Sequence, residues 1–172
     1  MNKIQAHLTG NSVSSNDSLA FSLFEKSRFG EKKSGKVQYM LTEAMFLVET
    51  EKLEINQRNT ILSKEDIQNK FRRIDNRFQT KYLVYKDLRK KGYVVKTALK
   101  FGADFRVYPK GKKPGAEHSQ WIVFCEHESK KMSWQEFSAK NRVAHSTKKK
   151  LLIAIIDKEE DVSYYEVGWI KP

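Results

Sequence analysis

The chain has 172 residues, which fits one ordinary domain or two small ones, and its formal net charge is +12. A surplus of this size favours a negatively charged partner, but it does not distinguish nucleic acid from an acidic membrane surface or an acidic protein. No apolar stretch approaches the ~20 residues that span a bilayer, and the N-terminal residues lack the apolar core of a signal peptide, so we expect a soluble cytoplasmic protein.

A strand, two loops and a helix are predicted in the first third of the chain. Residues 3–9 alternate apolar and polar side chains, as expected for a strand. The polar residues 10–18 and the Gly-, Lys- and Ser-rich residues 29–36 are predicted to be loops. Thr42 is expected to cap a helix over residues 43–51.

Two helices are predicted next. Ser63 and Asp66 have the spacing of a capping box, in which two side chains satisfy free backbone N–H groups at the start of a helix. Gly92 is expected to end the second of these helices. The apolar residues spaced for the buried face of the first helix are Ile67, Phe71, Ile74 and Phe78. Those of the second helix are Tyr82, Leu83, Tyr85 and Leu88.

The second half of the chain changes to a strand-rich pattern. Strands are predicted at residues 93–96, 104–108, 121–125, 151–156 and 162–170. Residues 110–115 are basic and contain Gly and Pro, so we expect an exposed loop. Ser133 and Glu136 form a capping box for a helix that runs to His145. The acidic residues 157–161 are predicted to be a turn.

The sequence offers few groups for metal or nucleotide-cofactor chemistry. Its four histidines and single cysteine show no recognised ligand spacing, and neither a P-loop nor a Gly-x-Gly-x-x-Gly motif occurs. Cys125 lies in an apolar run and is predicted to be a small buried residue rather than a nucleophile. We therefore expect no metal and no cofactor.

Three other residues fit one reaction. Tyr108 ends a predicted strand, His118 follows the basic loop, and Lys149 lies in a lysine cluster. Taken separately, each is better explained as a packed tyrosine, a surface histidine or a solvated lysine. Together they supply what metal-free RNA cleavage needs, which is a base for the 2′-hydroxyl proton, an acid for the departing 5′-oxygen and a cation beside the phosphate. Residues 79–172 hold 20 Lys and Arg against 11 Asp and Glu, which favours attraction to a phosphate backbone.

The sequence around these residues resembles the archaeal tRNA-splicing endonucleases. The resemblance covers most of residues 80–172 and is looser over residues 1–78. Its motifs are YLVYKDLR at 82–89, GYVVKT at 92–97, KFGADFRVY at 100–108, PG and HS at 114–115 and 118–119, RVAHS at 142–146 and KKL at 149–151.

This resemblance implies a fold and a mechanism. The implied fold is α/β (α+β), with a small N-terminal α/β domain over residues 1–78 and a C-terminal nuclease domain over residues 79–172 that has a central mixed β-sheet flanked by helices. The implied roles are general base for Tyr108, general acid for His118 and transition-state stabiliser for Lys149. The implied substrate is precursor tRNA with a bulge–helix–bulge at the intron boundaries, cut to a 2′,3′-cyclic phosphate and a 5′-hydroxyl.

Two residues are carried over as RNA contacts. Arg142 matches a family arginine that stacks on a splayed bulge base, although a surface arginine at a helix end explains it equally well. Trp169 has an aromatic face suited to stacking on a base, although packing in the core or in an interface is the stronger explanation.

The acidic turn bears on assembly. Its residues Asp157, Glu159, Glu160 and Asp161 match a family loop that inserts into a basic pocket of a neighbouring subunit. Because this chain carries both the catalytic residues and this loop, we expect a homotetramer built as a dimer of dimers, with residues 164–167 at the tight-dimer edge. A heterotetramer with a separate structural subunit is the alternative.

Two other functions compete with the endonuclease. In one, the chain is a non-catalytic RNA-binding or structural subunit, and the complete set of Tyr108, His118 and Lys149 argues against it. In the other, the helices at 64–91 and the later strands form a winged-helix-like DNA-binding protein, which leaves those three residues unexplained.

Overall fold

The structure is a computed structural model that describes residues 2–112, 114–115 and 117–172. The chain divides into two compact units, the first ending at Tyr82 and the second beginning at Leu83. Among the described residues five α-helices occur and the strands form two mixed sheets, so the predicted mixed α/β class is confirmed. Within the same residues every helix is too short or too polar to be a membrane span.

The first unit is built on a six-stranded sheet with helices around it. Its elements in chain order are β1 (Ile4–Thr9), β2 (Ser12–Ser15), α1 (Ser18–Ser27), β3 (Glu31–Lys33), β4 (Lys36–Tyr39), α2 (Leu41–Glu49), β5 (Leu53–Gln57), β6 (Thr60–Ile61) and α3 (Lys64–Ile74). The sheet order is β3-β4-β2-β1-β5-β6, with β1 and β5 parallel and the other neighbours antiparallel. The alternation predicted for β1 is confirmed, because Ile4, Ala6 and Leu8 are buried and the residues between them are not.

Three predictions in this unit are wrong. The predicted loops contain β2, β3 and the start of β4. Most side chains of these short strands are polar and few are buried, among them Val13, Ser15 and Val37, so the strands resemble loops in sequence. Helix α2 begins at Leu41 after the cap residue Met40, so Thr42 is not its cap. The side chain of Glu43 accepts the Met40 N–H at 3.2 Å instead. Helix α1 was not predicted at all.

The capping box at the start of α3 is confirmed. The Ser63 hydroxyl accepts the Asp66 N–H at 3.1 Å, and the Asp66 carboxylate accepts the Ser63 N–H at 3.4 Å. The helix ends at Ile74, and the next residue, Asp75, is extended. The prediction that Phe78 belongs to this helix is therefore wrong. Phe78 is instead the first residue of α4 (Phe78–Lys90).

The second unit contains a five-stranded sheet of order β11-β10-β9-β8-β7. Its further elements are β7 (Val94–Thr97), a 3₁₀ turn (Leu99–Phe101), β8 (Phe105–Tyr108), β9 (Trp121–His127), α5 (Trp134–Ser146), β10 (Lys150–Ile156) and β11 (Val162–Val167). Strands β9 and β10 are parallel, and α5 connects them, while the other neighbours are antiparallel. Ser133 caps α5 as predicted, by accepting the Glu136 N–H at 3.1 Å. Gly92 follows α4 with a φ of +90°, the left-handed backbone expected of the glycine that ends a helix.

Two details of this unit bear on the predicted site. The last strand ends at Val167, so Trp169 and Ile170 lie beyond it rather than within the predicted strand 162–170. The predicted basic loop, residues 110–115, includes position 113, which lies outside the described residues. Cys125 is a fully buried residue of β9, which confirms the prediction that it packs in the core.

Candidate active site

Strand register brings two of the predicted catalytic positions to one edge of the second sheet. Val107 pairs with Trp121, and Trp121 pairs with Lys150, across β8, β9 and β10. The next row outward therefore consists of Tyr108, Gln120 and Lys149. Because β8 runs opposite to β9 and β10, its last residue lies where the other two strands begin.

The side chains of this row are directed to the α5 face of the sheet. Two rows inward, Ile122 and Leu151 belong to a core cluster with Ala144 of α5. Residues two apart on a strand point to the same face, so Tyr108 and Lys149 share that face. Their backbones are two strand spacings apart, roughly 10 Å, a distance that a tyrosine and a lysine side chain can span toward one phosphate.

The turn between α5 and β10 places Lys149. Lys148 has a left-handed φ of +55°, which reverses the chain after the helix. The Lys149 N–H then donates to the Ala144 carbonyl at 2.9 Å, and its ammonium Nζ donates to the Thr147 carbonyl at 3.4 Å. The ammonium group is thereby held near the helix end while its side chain remains partly exposed.

The electrostatics around Lys149 are those of a cationic pocket. Burial lowers the pKa of Lys149 below its ordinary value, and repulsion from Arg106 and then Lys100 lowers it further. The guanidinium carbon of Arg106 also lies 6.0 Å from the ring centroid of Tyr108, which is itself buried. An anion such as a phosphate would relieve this repulsion, so the pocket is suited to bind one.

His118 lies on the segment that leads into the same edge. It is exposed, whereas the next residue, Ser119, is buried. The Gln120 N–H then donates to the Val107 carbonyl at 2.9 Å, which fixes the chain two residues after His118. The imidazole is therefore attached close to the row of Tyr108 and Lys149 and is accessible from solvent.

A cleft of about 700 Å³ opens beside Lys149. The residues that line it are Gln120, His145, Ser146, Lys148, Lys149 and Lys150. Gln120, His145 and Ser146 were not singled out as site residues from the sequence. The signal that could have found His145 is its position four residues before Lys149, at the end of a helix that leads directly into a strand.

The two predicted RNA contacts are near this cleft. Arg142 is exposed on α5, three residues before His145 and so on the same side of the helix. Trp169 follows β11 by two residues, and its ring centroid lies 4.1 Å from that of His145, with the ring planes at 73°. The pairing of β10 with β11 ends at Leu151 and Val167, two residues after Lys149 and two residues before Trp169.

The predicted acidic turn lies at the opposite end of β10. The Asp157 carboxylate accepts the N–H groups of Glu159 at 3.0 Å and Asp161 at 2.9 Å, so it holds the turn together. Glu159, Glu160 and Asp161 are exposed. Three of the four acidic side chains are thus available to a partner, and the fourth shapes the turn.

Across residues 2–112, 114–115 and 117–172, no three His, Cys, Asp or Glu side chains are grouped so that they could hold a metal ion.

Comparison with known proteins gives matches over both units. Residues 78–164 match the profile of the tRNA intron endonuclease catalytic C-terminal domain, and residues 4–68 match that of the tRNA intron endonuclease N-terminal domain. A tRNA-splicing endonuclease of Thermococcus kodakarensis is 44% identical over 166 residues, which are 96% of this chain and 97% of the relative. The enzyme of the same name from Pyrococcus abyssi is 42% identical over 169 residues, 98% and 97% of the two chains. A third, from Nanoarchaeum equitans, is 44% identical over 138 residues, 77% of this chain and 88% of the relative.

Proposed function

Since the chain belongs to the tRNA intron endonuclease family and is an endonuclease of tRNA splicing, we propose that it cuts precursor tRNA at bulge–helix–bulge intron boundaries without a metal ion. The products are a 2′,3′-cyclic phosphate and a 5′-hydroxyl. A cytoplasmic location is part of the proposal.

The proposed mechanism assigns one role to each of three residues. Tyr108 takes the proton of the 2′-hydroxyl, and the 2′-oxygen attacks the adjacent phosphorus to form the cyclic ester. The bond from phosphorus to the 5′-oxygen breaks, and His118 gives that oxygen its proton. The Lys149 ammonium pairs with a non-bridging oxygen, where negative charge increases in the transition state.

The observation that carries the proposal is the shared edge of β8, β9 and β10. In its support, Tyr108 and Lys149 each adjoin a residue paired with Trp121, namely Val107 and Lys150. His118 lies two residues before Gln120, whose N–H donates to Val107. The lowered pKa of Lys149, caused by burial and by Arg106, fits a pocket that is completed by an anionic ligand.

RNA binding beyond the reacting phosphate is assigned to Arg142 and Trp169. Both have exposed side chains, and both lie close to His145 on the rim of the cleft. A guanidinium plane and an indole can each stack on an unpaired base, which is how proteins commonly hold bases that leave a helix. The bulge nucleotides are the unpaired bases of the proposed substrate.

The proposed assembly is a homotetramer, built as a dimer of dimers. The exposed carboxylates of Glu159, Glu160 and Asp161 are the contacts offered to a neighbouring basic pocket, while Asp157 holds the turn that presents them. The edge strand β11 is the proposed tight-dimer contact, where Tyr165 is 59% exposed. Native mass spectrometry tests this assembly. Glu159→Lys with Glu160→Lys should dissociate the tetramer, and a native mass that requires a second polypeptide would favour the heterotetramer.

One assay tests the function itself. The purified chain is incubated with a bulge–helix–bulge RNA in EDTA, and the ends of the products are identified. We expect cleavage at both boundaries with a cyclic phosphate and a 5′-hydroxyl. A matched RNA with fully paired boundaries is the control and should remain intact. Cleavage that chelator abolishes would reject the metal-free mechanism, and binding without any cleavage would favour a non-catalytic RNA-binding subunit.

A further inference from the structure

The segment after β11, residues 168–172, carries the large aromatic side chain of Trp169 and is neither helix nor strand. Residues 168–172 are all exposed, and Trp169 itself is 56% exposed. Gly168 precedes it, and a Cβ added there would meet no atom within 4 Å, so the backbone at this point is not closely packed. An indole in such a tail would sample many orientations unless a side chain restrains it.

His145 is the side chain that meets this indole. The two ring centroids are 4.1 Å apart with the planes at 73°, an edge-to-face arrangement of the kind that aromatic pairs prefer. His145 lies in the last turn of α5, and the following residues Thr147 and Lys149 are hydrogen-bonded back to that helix end. The imidazole is thus attached to a helix, whereas the indole follows the last strand in a segment that is neither helix nor strand.

His145 also lines the cleft beside Lys149. Its ring therefore both contacts Trp169 and belongs to the wall of the candidate site. The contact brings the tail to the rim of the cleft, where an unpaired base bound at the site would lie. We infer that His145 is a positioning residue, which holds the Trp169 indole at the rim of the cleft in the orientation that stacks on an unpaired RNA base.

This inference rests on the proposed function, since it assigns the restrained indole to a bulge base of the RNA. It differs from direct phosphate binding by His145, which would also weaken RNA binding when the imidazole is removed. The two are separated by asking whether the effect of His145 depends on Trp169. A positioning residue has no effect once the residue that it positions is absent, whereas a direct contact keeps its effect.

The experiment is a double-mutant cycle on RNA binding. The RNA is a bulge–helix–bulge duplex with a 2′-deoxy nucleotide at each scissile position, so that it is not cut, and with 2-aminopurine at one bulge position at a time. The variants are His145→Ala, His145→Gln, His145→Phe, Trp169→Ala and the double variant with both alanines. Affinity is measured by titration, stacking by 2-aminopurine quenching, and folding by circular dichroism.

We expect His145→Ala and His145→Gln to weaken binding roughly two- to tenfold, the range of an aromatic pair, and to reduce quenching at one bulge position. His145→Phe keeps an aromatic ring, so its RNA affinity and its 2-aminopurine quenching should match those of the natural chain. In the Trp169→Ala background His145→Ala should change the affinity less than twofold. Acrylamide should quench tryptophan fluorescence more strongly in His145→Ala than in the natural chain, and this increase should vanish when Trp169 is also replaced.

Two results would overturn the inference. An equal loss of affinity with and without Trp169 would make His145 an independent RNA contact, and failure of folded His145→Phe to restore quenching would remove the ring contact as the cause. Cleavage of the unmodified RNA by the natural chain is scored separately. If it cleaves while the cycle shows no coupling, only the inference fails; if it does not cleave but the cycle shows coupling, only the proposed function fails.

Discussion

The backbone N–H of Lys150 donates to the carbonyl of Gln120 at 2.9 Å, and this hydrogen bond fixes how the two parallel central strands begin. On its other side Gln120 donates to Val107 at 2.9 Å. Gln120 is thus the residue through which the edges of β8, β9 and β10 are aligned. A shift of the strand register at Gln120 would move Tyr108 relative to Lys149, because Gln120 is hydrogen-bonded to the chain neighbour of each, Val107 and Lys150.

Removal of the Lys149 ammonium should slow cleavage without a comparable loss of binding. We expect Lys149→Ala to lower the single-turnover rate roughly 10²- to 10³-fold, as is typical when one group that stabilises a developing oxyanion is lost. Lys131→Ala, at an exposed position before α5, removes the same charge and is the matched control. Equal rate losses in the two variants would mean that the general positive charge, and not this position, matters.

A sulfur leaving group can identify the general acid. If His118 protonates the departing 5′-oxygen, His118→Ala should be strongly impaired on ordinary RNA but nearly normal on RNA with a 5′-bridging sulfur, because a thiolate leaves without a proton. Tyr108→Phe should be impaired on both RNAs, since the 2′-hydroxyl still needs a base. If the sulfur-containing RNA restored cleavage by Tyr108→Phe instead, the roles of acid and base would be exchanged. If it did not restore cleavage by His118→Ala, the role of His118 as general acid would be rejected.

Much of the fold could be predicted because its signals are local. The capping box at Ser63 and the cap at Ser133 require only two residues three apart, and the strand β1 requires only alternation. The short strands β2 and β3 could not be predicted in this way, because their polar side chains resemble those of a loop and they are ordered by neighbouring strands. The residue type of Thr42 suits a helix cap, which is why the sequence predicts it there. A buried contact instead determines where α2 begins.

That buried contact involves Glu43. Its carboxylate accepts the N–H groups of Gly30 at 3.0 Å and Met40 at 3.2 Å, and Gly30 is 13 residues away in the sequence. A contact between Gly30 and Glu43 cannot be predicted from residue spacing in the sequence. The candidate site shows the same limit, since the resemblance supplied Tyr108, His118 and Lys149 as residue types, while the lining residue His145 emerges only from the folded arrangement.

Alanine substitutions at two glycines with the same φ distinguish the stability cost of a packing clash from that of a strained backbone. Gly30 and Gly35 both have a φ of +74°, but a Cβ at Gly30 would lie 2.4 Å from the Val37 side chain, whereas a Cβ at Gly35 would meet nothing within 4 Å. We expect Gly35→Ala to cost about 1–2 kcal/mol of unfolding free energy through the left-handed φ alone. Gly30→Ala should cost ~1–3 kcal/mol more because it overpacks the core. Urea denaturation measures both, and equal losses would contradict the clash.

The carboxylate of Asp104 should stabilise the second unit. It is buried, and its Oδ2 accepts the N–H of fully buried Cys125 at 2.8 Å, which ties the start of β8 to β9. Asp104→Ala leaves that N–H without this acceptor and should lower the unfolding free energy by about 1–3 kcal/mol. Asp104→Asn keeps an acceptor oxygen and should cost less. The comparison fails if asparagine destabilises the chain as much as alanine does.

The lowered pKa of Lys149 should be visible as a pH dependence. Its causes are burial, then repulsion from Arg106 and Lys100. As pH rises through this pKa the ammonium loses its charge, so the cleavage rate should fall at a lower pH than it would for an unperturbed lysine. Because the folded pKa lies below the unfolded one, the charged group opposes folding at lower pH, and this penalty is relieved as pH rises from the folded pKa to the unfolded pKa.

Arg106→Met tests the electrostatic part of this effect. Removal of one repelling cation should raise the pKa of Lys149 and move the alkaline fall in rate to higher pH, while burial keeps the pKa below that of a free lysine. Lys110→Met is the matched control, because the Lys110 ammonium lies 5.2 Å from the Tyr93 ring and is not among the causes of the shift. Titration of Lys149 by NMR measures the pKa directly. An unchanged or lower pKa in folded Arg106→Met would show that Arg106 does not act on this ammonium.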